Sequence, residues 1–168
     1  MAEGSGEGQA TGADNGTPDV FISYASQDAA VADAVVSALE RQGLKCWIAP
    51  RDVTPGEFYA GAIVHAIDAA RVVVLILSQN AAGSPHVLRE VERATSNRHS
   101  VVSLRIDQAP LPAEFEYFLN TSQWLDASAG VMAAVLPQLV EAVRKILALP
   151  APSTAQVPPL EAPHLPSE

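Results

Sequence analysis

One short run constrains the fold of this chain more than any other feature. Residues 71–78 read RVVVLILS, with an apolar side chain at every position between Arg71 and Ser78. A central strand of a parallel sheet is covered by helices on both faces, so its sequence is continuously apolar. We therefore predict that this run is an inner strand of a parallel sheet.

The sequence on either side of this run alternates between short apolar stretches and segments with apolar residues at helical spacing. The predicted strands are 19–25, 44–49, 71–78, 100–106 and a short one at 122–125, and the predicted helices are 28–42, 58–70, 84–95 and 130–149. Gly43 supplies a stop for the first helix, and Pro137 predicts a kink or a late start in the last. This alternation predicts an α/β fold, a flavodoxin-like three-layer sandwich whose five-stranded parallel sheet has the order 2-1-3-4-5.

The two ends of the chain differ in composition from the alternating region. Residues 1–17 are rich in Gly, Ala and acidic side chains with nothing to bury, so we expect a disordered N-terminal tail. Residues 150–168 are proline-rich and predict an extended linker or tail. The folded domain is expected over residues 18–149. A linker of this kind suggests a further domain beyond Glu168, although a free tail would have the same composition.

Charge and composition exclude several classes of function. The formal net charge is -9 and the isoelectric point is near 4.8, so the chain lacks the basic surface that nucleic acids or anionic membranes require. We expect a soluble cytoplasmic domain, because no apolar stretch approaches the roughly 18 residues that span a bilayer. The one cysteine, Cys46, is predicted to be a buried small hydrophobe. The four histidines lack metal-ligand spacing, so no metal site is expected.

The predicted strand order also predicts where a ligand would bind. In the order 2-1-3-4-5 the topological switch point lies between the first and third strands, and ligands bind at the carboxyl ends there. Three connections would form the walls of this crevice: residues 24–28, 49–57 and 78–84. The middle connection belongs to the stretch WIAPRDVTPGE, which is unusually long and proline-rich for a βα turn.

Four segments together resemble a TIR (Toll/interleukin receptor) domain, and most closely its bacterial branch. They are DVFISYASQD, CWIAPRDVTPGE, VVVLILSQNAAGSPHVLREVERA and SQWLDA, and the resemblance covers about residues 18–149. It implies a flavodoxin-like fold that self-associates. Many members of the family cleave NAD⁺ at the nicotinamide–ribose bond, and others act only as signalling scaffolds.

The resemblance also implies roles for particular residues. The family's catalytic glutamate corresponds to Glu90, and His86 stands where the family usually has tryptophan. The loop after the second strand corresponds to a mobile loop that lies over the active site and contacts neighbouring subunits. The predicted substrate-binding residues are Tyr24, Ala25, Ser26, Trp47, Arg51, Ser84 and His86.

The residues themselves leave alternatives open for three of these positions. Glu90 lies about 70° from the core-facing stripe of its helix, so it is either a crevice residue or a surface carboxylate paired with a nearby arginine. Trp47 either stacks on a ligand or packs at the end of its strand. Arg51 either contacts a phosphate or ribose, or forms an ion pair with Asp52 or between subunits.

The predicted function is that of an NAD⁺ glycohydrolase, with ADP-ribosyl cyclisation as a further outcome. NAD⁺ would be the substrate and no cofactor is expected. The enzyme would act as an effector in bacterial immune-type signalling such as antiphage defence, activated when a fused sensor domain drives TIR–TIR assembly. The alternative is a non-catalytic scaffold that mediates homotypic contacts, and a weaker one is a base-exchanging or nucleoside-processing enzyme that uses the same glutamate.

Overall fold

The computed structural model describes residues 17–120 and 122–148. Its strands are β1 (Val20–Ser23), β2 (Cys46–Trp47), β3 (Val72–Leu77), β4 (Ser100–Arg105) and β5 (Gln123–Asp126). Its α-helices are α1 (Ala29–Glu40), α2 (Tyr59–Ala69), α3 (Gln79–Ala82), α4 (Pro85–Ser96), α5 (Ala113–Leu119) and α6 (Met132–Ala148). Except for Thr17, the predicted N-terminal tail and the proline-rich tail lie outside the described residues.

The five strands form one parallel sheet in the order β2-β1-β3-β4-β5. This confirms the predicted α/β fold and its strand order. All six residues of β3 are buried, as the continuous apolar run predicts for a strand covered on both faces. The carboxyl ends of β1 and β3 lie side by side at the point where the strand order reverses.

Helices cover both faces of the sheet, and each face has its own hydrophobic cluster. Successive side chains of a strand point to opposite faces, so neighbouring residues of β1 belong to different clusters. Val20 and Ile22 pack with residues of α1 and α6. Phe21 packs with residues of α2, α4 and α5 on the other face. The second face is the one that carries the candidate site.

Several elements differ from the prediction. Helices α3 and α5 were not predicted, and β2 is limited to Cys46–Trp47. The last helix begins at Met132 and continues through Pro137. In the part of the chain that the structure describes, no helix is both long enough and apolar enough to span a bilayer.

The connection between α1 and β2 and the cysteine that follows it agree with the prediction. Gly43 adopts a φ of 79°, a left-handed conformation that glycine reaches without a steric penalty, directly after α1. Cys46 is 8% exposed, as expected for a small hydrophobe in the core. Burial, and then the nearby Glu40 carboxylate, raise the pKa of its thiol to about 12.

Candidate active site

Helix α4 positions the predicted catalytic glutamate. Its first turn is fixed by Ser84, whose hydroxyl accepts a hydrogen bond from the Val87 backbone N–H at 3.3 Å, and by Pro85 at the first helical position. The buried stripe of the helix is Val87, Val91 and Ala94. Glu90 stands at the edge of that stripe, half-buried, where the predicted angle places it.

The environment of Glu90 disfavours its charged form. Desolvation by burial raises the pKa of its carboxyl to about 7, and the Ser23 side chain at the end of β1 acts in the opposite direction. Arg93, one of the arginines considered as a partner, instead forms an ion pair with Asp68 at 2.6 Å. A half-buried carboxyl group with a pKa near neutrality at the switch point has the properties of a functional group.

A cavity of about 530 Å³ lies beside Glu90 at the carboxyl end of the sheet. All three predicted connections contribute to its walls. It is lined by Phe21, Ile22, Tyr24, Ala25, Ser26, Gln27, Ala49, Pro50, Tyr59, Ile63, Asn80, Gly83, Ser84, His86 and Glu90. The structure therefore brings Tyr24, Ala25, Ser26, Ser84 and His86 together around the predicted catalytic residue.

The wall formed by α2 was missing from the sequence prediction. Tyr59 and Ile63 lie one helical turn apart on α2 and both face the cavity. The helical spacing of apolar residues in this segment indicated a core-facing side, but not that one end of that side lines a cavity. Glu90, His86 and Ile63 also border a neighbouring groove of about 410 Å³ between α2 and α4, which Glu92 lines as well.

Hydrogen bonds join the three connections to one another. The Tyr24 hydroxyl donates to the carbonyl oxygen of Ala49 at 2.5 Å, which links the first connection to the second. The Asp28 carboxylate accepts hydrogen bonds from the side chains of Ser78 and Asn80, which links the first to the third. The mouth of the cavity is thus built from segments distant in sequence but fixed to one another.

Trp47 and Arg51 do not line the cavity. The Trp47 ring stacks on Phe21 with their centroids 5.4 Å apart and 12° between the ring planes, which is packing at the end of a strand. The Arg51 guanidinium contacts Glu40 at 2.8 Å and Asp52 at 2.9 Å, and donates to the Cys46 carbonyl oxygen at 3.1 Å. In this structure Trp47 therefore packs at the end of its strand and Arg51 forms ion pairs, which are the alternatives to substrate binding that the sequence left open.

The rest of the connection after β2 is exposed. The Asp52 carboxylate accepts a hydrogen bond from the Ile48 backbone N–H at 2.9 Å, which fixes the first part of the loop. Gly56 then adopts a φ of 86°. Phe58, the residue before α2, is 83% exposed, so an aromatic side chain projects from the surface directly after the loop.

Comparison with known proteins bears on this geometry. Residues 20–140 match the model of the TIR domain family. The TIR domain of the Toll-related receptor TRR-2 from Hydra magnipapillata is similar in structure, with a TM-score of 0.65 and 28% identity over 76% of this chain and 99% of that chain. The CMP N-glycosidase BcmB of Clostridium botulinum shares the fold, with a TM-score of 0.54 and 15% identity over 71% of this chain and 96% of that chain.

A curated protein is also similar in sequence. The Stimulator of interferon genes protein of Magallana gigas is 32% identical over 80 residues, which are 47% of this chain and 19% of that protein. The match thus spans about a fifth of the length of this relative. These comparisons do not test the assignment to the bacterial branch, which stays a prediction. The family match covers most of the folded region, and on this basis the chain belongs to the TIR domain family.

Proposed function

We propose that this domain is an NAD⁺ nucleosidase that cleaves the nicotinamide–ribose bond, with Glu90 as its catalytic residue. The observation that carries the proposal is the position of Glu90, half-buried beside a cavity of about 530 Å³ at the switch point of the sheet. Tyr24, Ser26 and His86 line the same cavity and would contact the substrate.

A single carboxylate suffices for this reaction. Most glycosidic bonds need a carboxylic acid to protonate the leaving group as well as a second carboxylate. The nicotinamide of NAD⁺ is attached through a cationic linkage and departs as a neutral molecule, so it needs no proton. What needs stabilising is the positive charge that develops on the ribose, and an ionised Glu90 would stabilise it electrostatically and orient the ribose hydroxyls.

The ionisation of Glu90 sets the expected pH dependence. With a pKa of about 7, the carboxyl is partly protonated at neutral pH and becomes fully ionised above it. Since only the ionised form stabilises the developing cation, activity should rise with pH through this region.

One comparison supports the chemistry indirectly. CMP N-glycosidase is by its name an enzyme that cleaves an N-glycosidic bond, and it shares this fold. At 15% identity the likeness is one of fold alone. It adds support because a fold of this kind carries related chemistry in another protein, while the assignment of Glu90 rests on the geometry of this chain.

The remaining parts of the proposal concern regulation. From the family resemblance we further propose that a fused sensor domain activates the enzyme by driving TIR–TIR assembly, and that the protein acts in bacterial immune-type signalling. The second candidate function, a non-catalytic scaffold, is favoured by the exposure of Phe58 and Tyr59 beside the loop, at 83% and 52%. Exposed aromatic side chains of this kind are common in protein contacts.

Nicotinamide release from NAD⁺ tests the proposal. The wild type, Glu90→Ala and Glu92→Gln would be compared at high protein concentration with a crowding agent or on a bead surface. We expect release from the wild type and from Glu92→Gln, whose side chain lies on the same helix outside the cavity, and at least a 100-fold lower rate from Glu90→Ala, about the loss seen when an electrostatic stabiliser is removed. No release by any variant, despite measurable self-association, would favour the scaffold.

A further inference from the structure

Ser23 presents a buried hydroxyl group that the fold itself does not use. The residue is 0% exposed at the carboxyl end of β1, and its Oγ has no hydrogen-bond partner among the described residues. An unpartnered buried polar group destabilises the folded state. Alanine or cysteine at this position would avoid much of that penalty, so the hydroxyl calls for an explanation other than stability.

The neighbouring strand provides a structural contrast. Ser23 and Ser103 lie on the same row of the sheet, since both pair in register with Leu75, one from β1 and the other from β4. Both are 0% exposed. The Ser103 hydroxyl, however, is 3.4 Å from the Ser122 hydroxyl, within hydrogen-bond distance. Of the two buried serines on this row, Ser103 thus has another hydroxyl within hydrogen-bond distance. Ser23 has no hydrogen-bond partner in the part of the chain that the structure describes, and its neighbour is Glu90.

Ser23 lies on the face of β1 that packs against α4, the helix that carries Glu90. The Ser23 side chain is the group that opposes the effect of burial on the Glu90 carboxyl, although its Oγ does not complete a hydrogen bond in the resting geometry. A hydroxyl hydrogen rotates freely, so a small side-chain movement would let it donate to the ionised carboxylate.

Other polar groups surround the same carboxyl without replacing this contact. The titratable groups that border the cavity or the adjoining groove are Tyr24, Tyr59, His86, Arg89, Glu92 and Arg93. Arg93 is held by Asp68, and the Tyr24 hydroxyl donates to the Ala49 carbonyl oxygen. Among the described groups, Ser23 is the one whose side chain lowers the pKa of Glu90, against the effect of burial.

We propose that Ser23 is a positioning residue for Glu90: its hydroxyl donates to the ionised carboxylate and holds it toward the cavity. The inference rests on the function proposed above, in which only ionised Glu90 stabilises the ribose cation. Ser23 acts through Glu90. It sets the fraction of the carboxylate that is charged at neutral pH and the direction in which the carboxylate points.

A titration of Glu90 tests this role without depending on activity. The protein would be labelled with ¹³C at the glutamate carboxyl carbons, and the Glu90 signal identified by its loss in Glu90→Gln. In Ser23→Ala we expect the titration midpoint to move up by about one pH unit, as the loss of a hydrogen bond to a charged group predicts. Ser103→Ala, the matched buried serine, should leave the midpoint unchanged.

The rate of nicotinamide release against pH provides the second readout. In Ser23→Ala the increase in rate with pH should occur at a higher pH, shifted by the same amount as the titration midpoint of Glu90. Activity is then lower at pH 7 and recovers by pH 9. Ser23→Cys has a larger side chain with a weaker donor, and Ser23→Ala a smaller one with none, so the same upward shift in both variants would show that the lost donor and not a change in packing is responsible. A Glu90 midpoint that is the same in the wild type and both variants would overturn the proposal. Absence of release in every sample would instead count against the proposed function, while the titration would still decide the role of Ser23.

Discussion

Glu90, the proposed catalytic residue, carries a charge that opposes the stability of the fold. Its carboxyl has a pKa of about 7 in the folded chain and would titrate near 4.3 when unfolded. The folded state therefore binds more protons than the unfolded state between these values. It follows that this group's contribution to the free energy of unfolding falls as the pH rises from about 4.3 to 7 and stays low above that.

Replacing Glu90 by glutamine should remove this penalty. We expect Glu90→Gln to raise the free energy of unfolding by about 1–2 kcal/mol at pH 8, a value reduced from the full shift because solvent reaches this half-buried group. Near pH 4 the variant and the wild type should have the same stability. Urea unfolding at both pH values measures the difference, with Glu92→Gln as the control on the same helix. A gain that is equal at both pH values would show that packing, and not charge, is responsible.

Single residues also mark the limit of prediction from sequence. The position of Glu90 followed from helical periodicity together with the family resemblance. The direction of Trp47 did not, because the residue ends a two-residue strand and alternation over so short a span does not fix which way the ring turns. Ser23 gave no signal at all, since a serine in an apolar strand has the same sequence pattern whether or not its hydroxyl is partnered.

At the scale of elements, the connection after β2 is fastened to α1 by Arg51. Its guanidinium contacts both Glu40, the last residue of α1, and Asp52 of the loop. The hydrogen bonds that Arg51 donates to Glu40 and then to Asp52 raise the pKa of Arg51, so the group is always charged. The loop thus has one end held by an ion-pair network, and the other end, at Gly56 and Phe58, is exposed.

A double-mutant cycle distinguishes this ion pair between Arg51 and Glu40 from a role of Arg51 in substrate binding. We expect Arg51→Ala and Glu40→Ala each to destabilise the fold modestly, with a coupling energy of about 0.5–1 kcal/mol between them, as for other exposed ion pairs. The KM for NAD⁺ should be similar in Arg51→Ala and Glu40→Ala, because neither side chain lines the cavity. A KM raised at least tenfold in Arg51→Ala alone would mean that the arginine binds substrate directly.

The elements missed in the sequence are the short ones. Helix α5 buries Phe115 and Leu119, but it is seven residues long and follows Pro112, so its helical pattern covers barely two turns. Helix α3 is four residues long, too short for any period to be visible. The longer segments were predictable because their apolar residues repeat over several turns or, in β3, run without interruption.

For the molecule as a whole, the exposed end of the loop predicts that activity depends on assembly. We expect the rate of nicotinamide release per molecule to be low in dilute solution and to increase with protein concentration. Phe58→Ser should reduce this increase, since the side chain that it removes is exposed in the single chain and free for contact with a neighbour. Tyr117→Ser is a suitable control, because Tyr117 is similarly exposed, at 74%, but lies on α5, away from the loop.

Light scattering on the same samples separates the two explanations of a low rate. Phe58→Ser should shift the association to higher concentration, and the rate should follow the assembled fraction in every variant. Full activity in a strictly monomeric sample would contradict assembly dependence.

Because the thiol of Cys46 is buried, motion of the loop after β2 can be followed by site-specific spectroscopy. It is the one cysteine of the chain, and its pKa of about 12 leaves almost no reactive thiolate at neutral pH. A probe-bearing cysteine introduced in place of Glu57, in the exposed part of the loop, would therefore be labelled selectively without removing the native Cys46. The fluorescence or spin-label mobility of a probe at that one position could then follow the loop as substrate binds and as chains assemble.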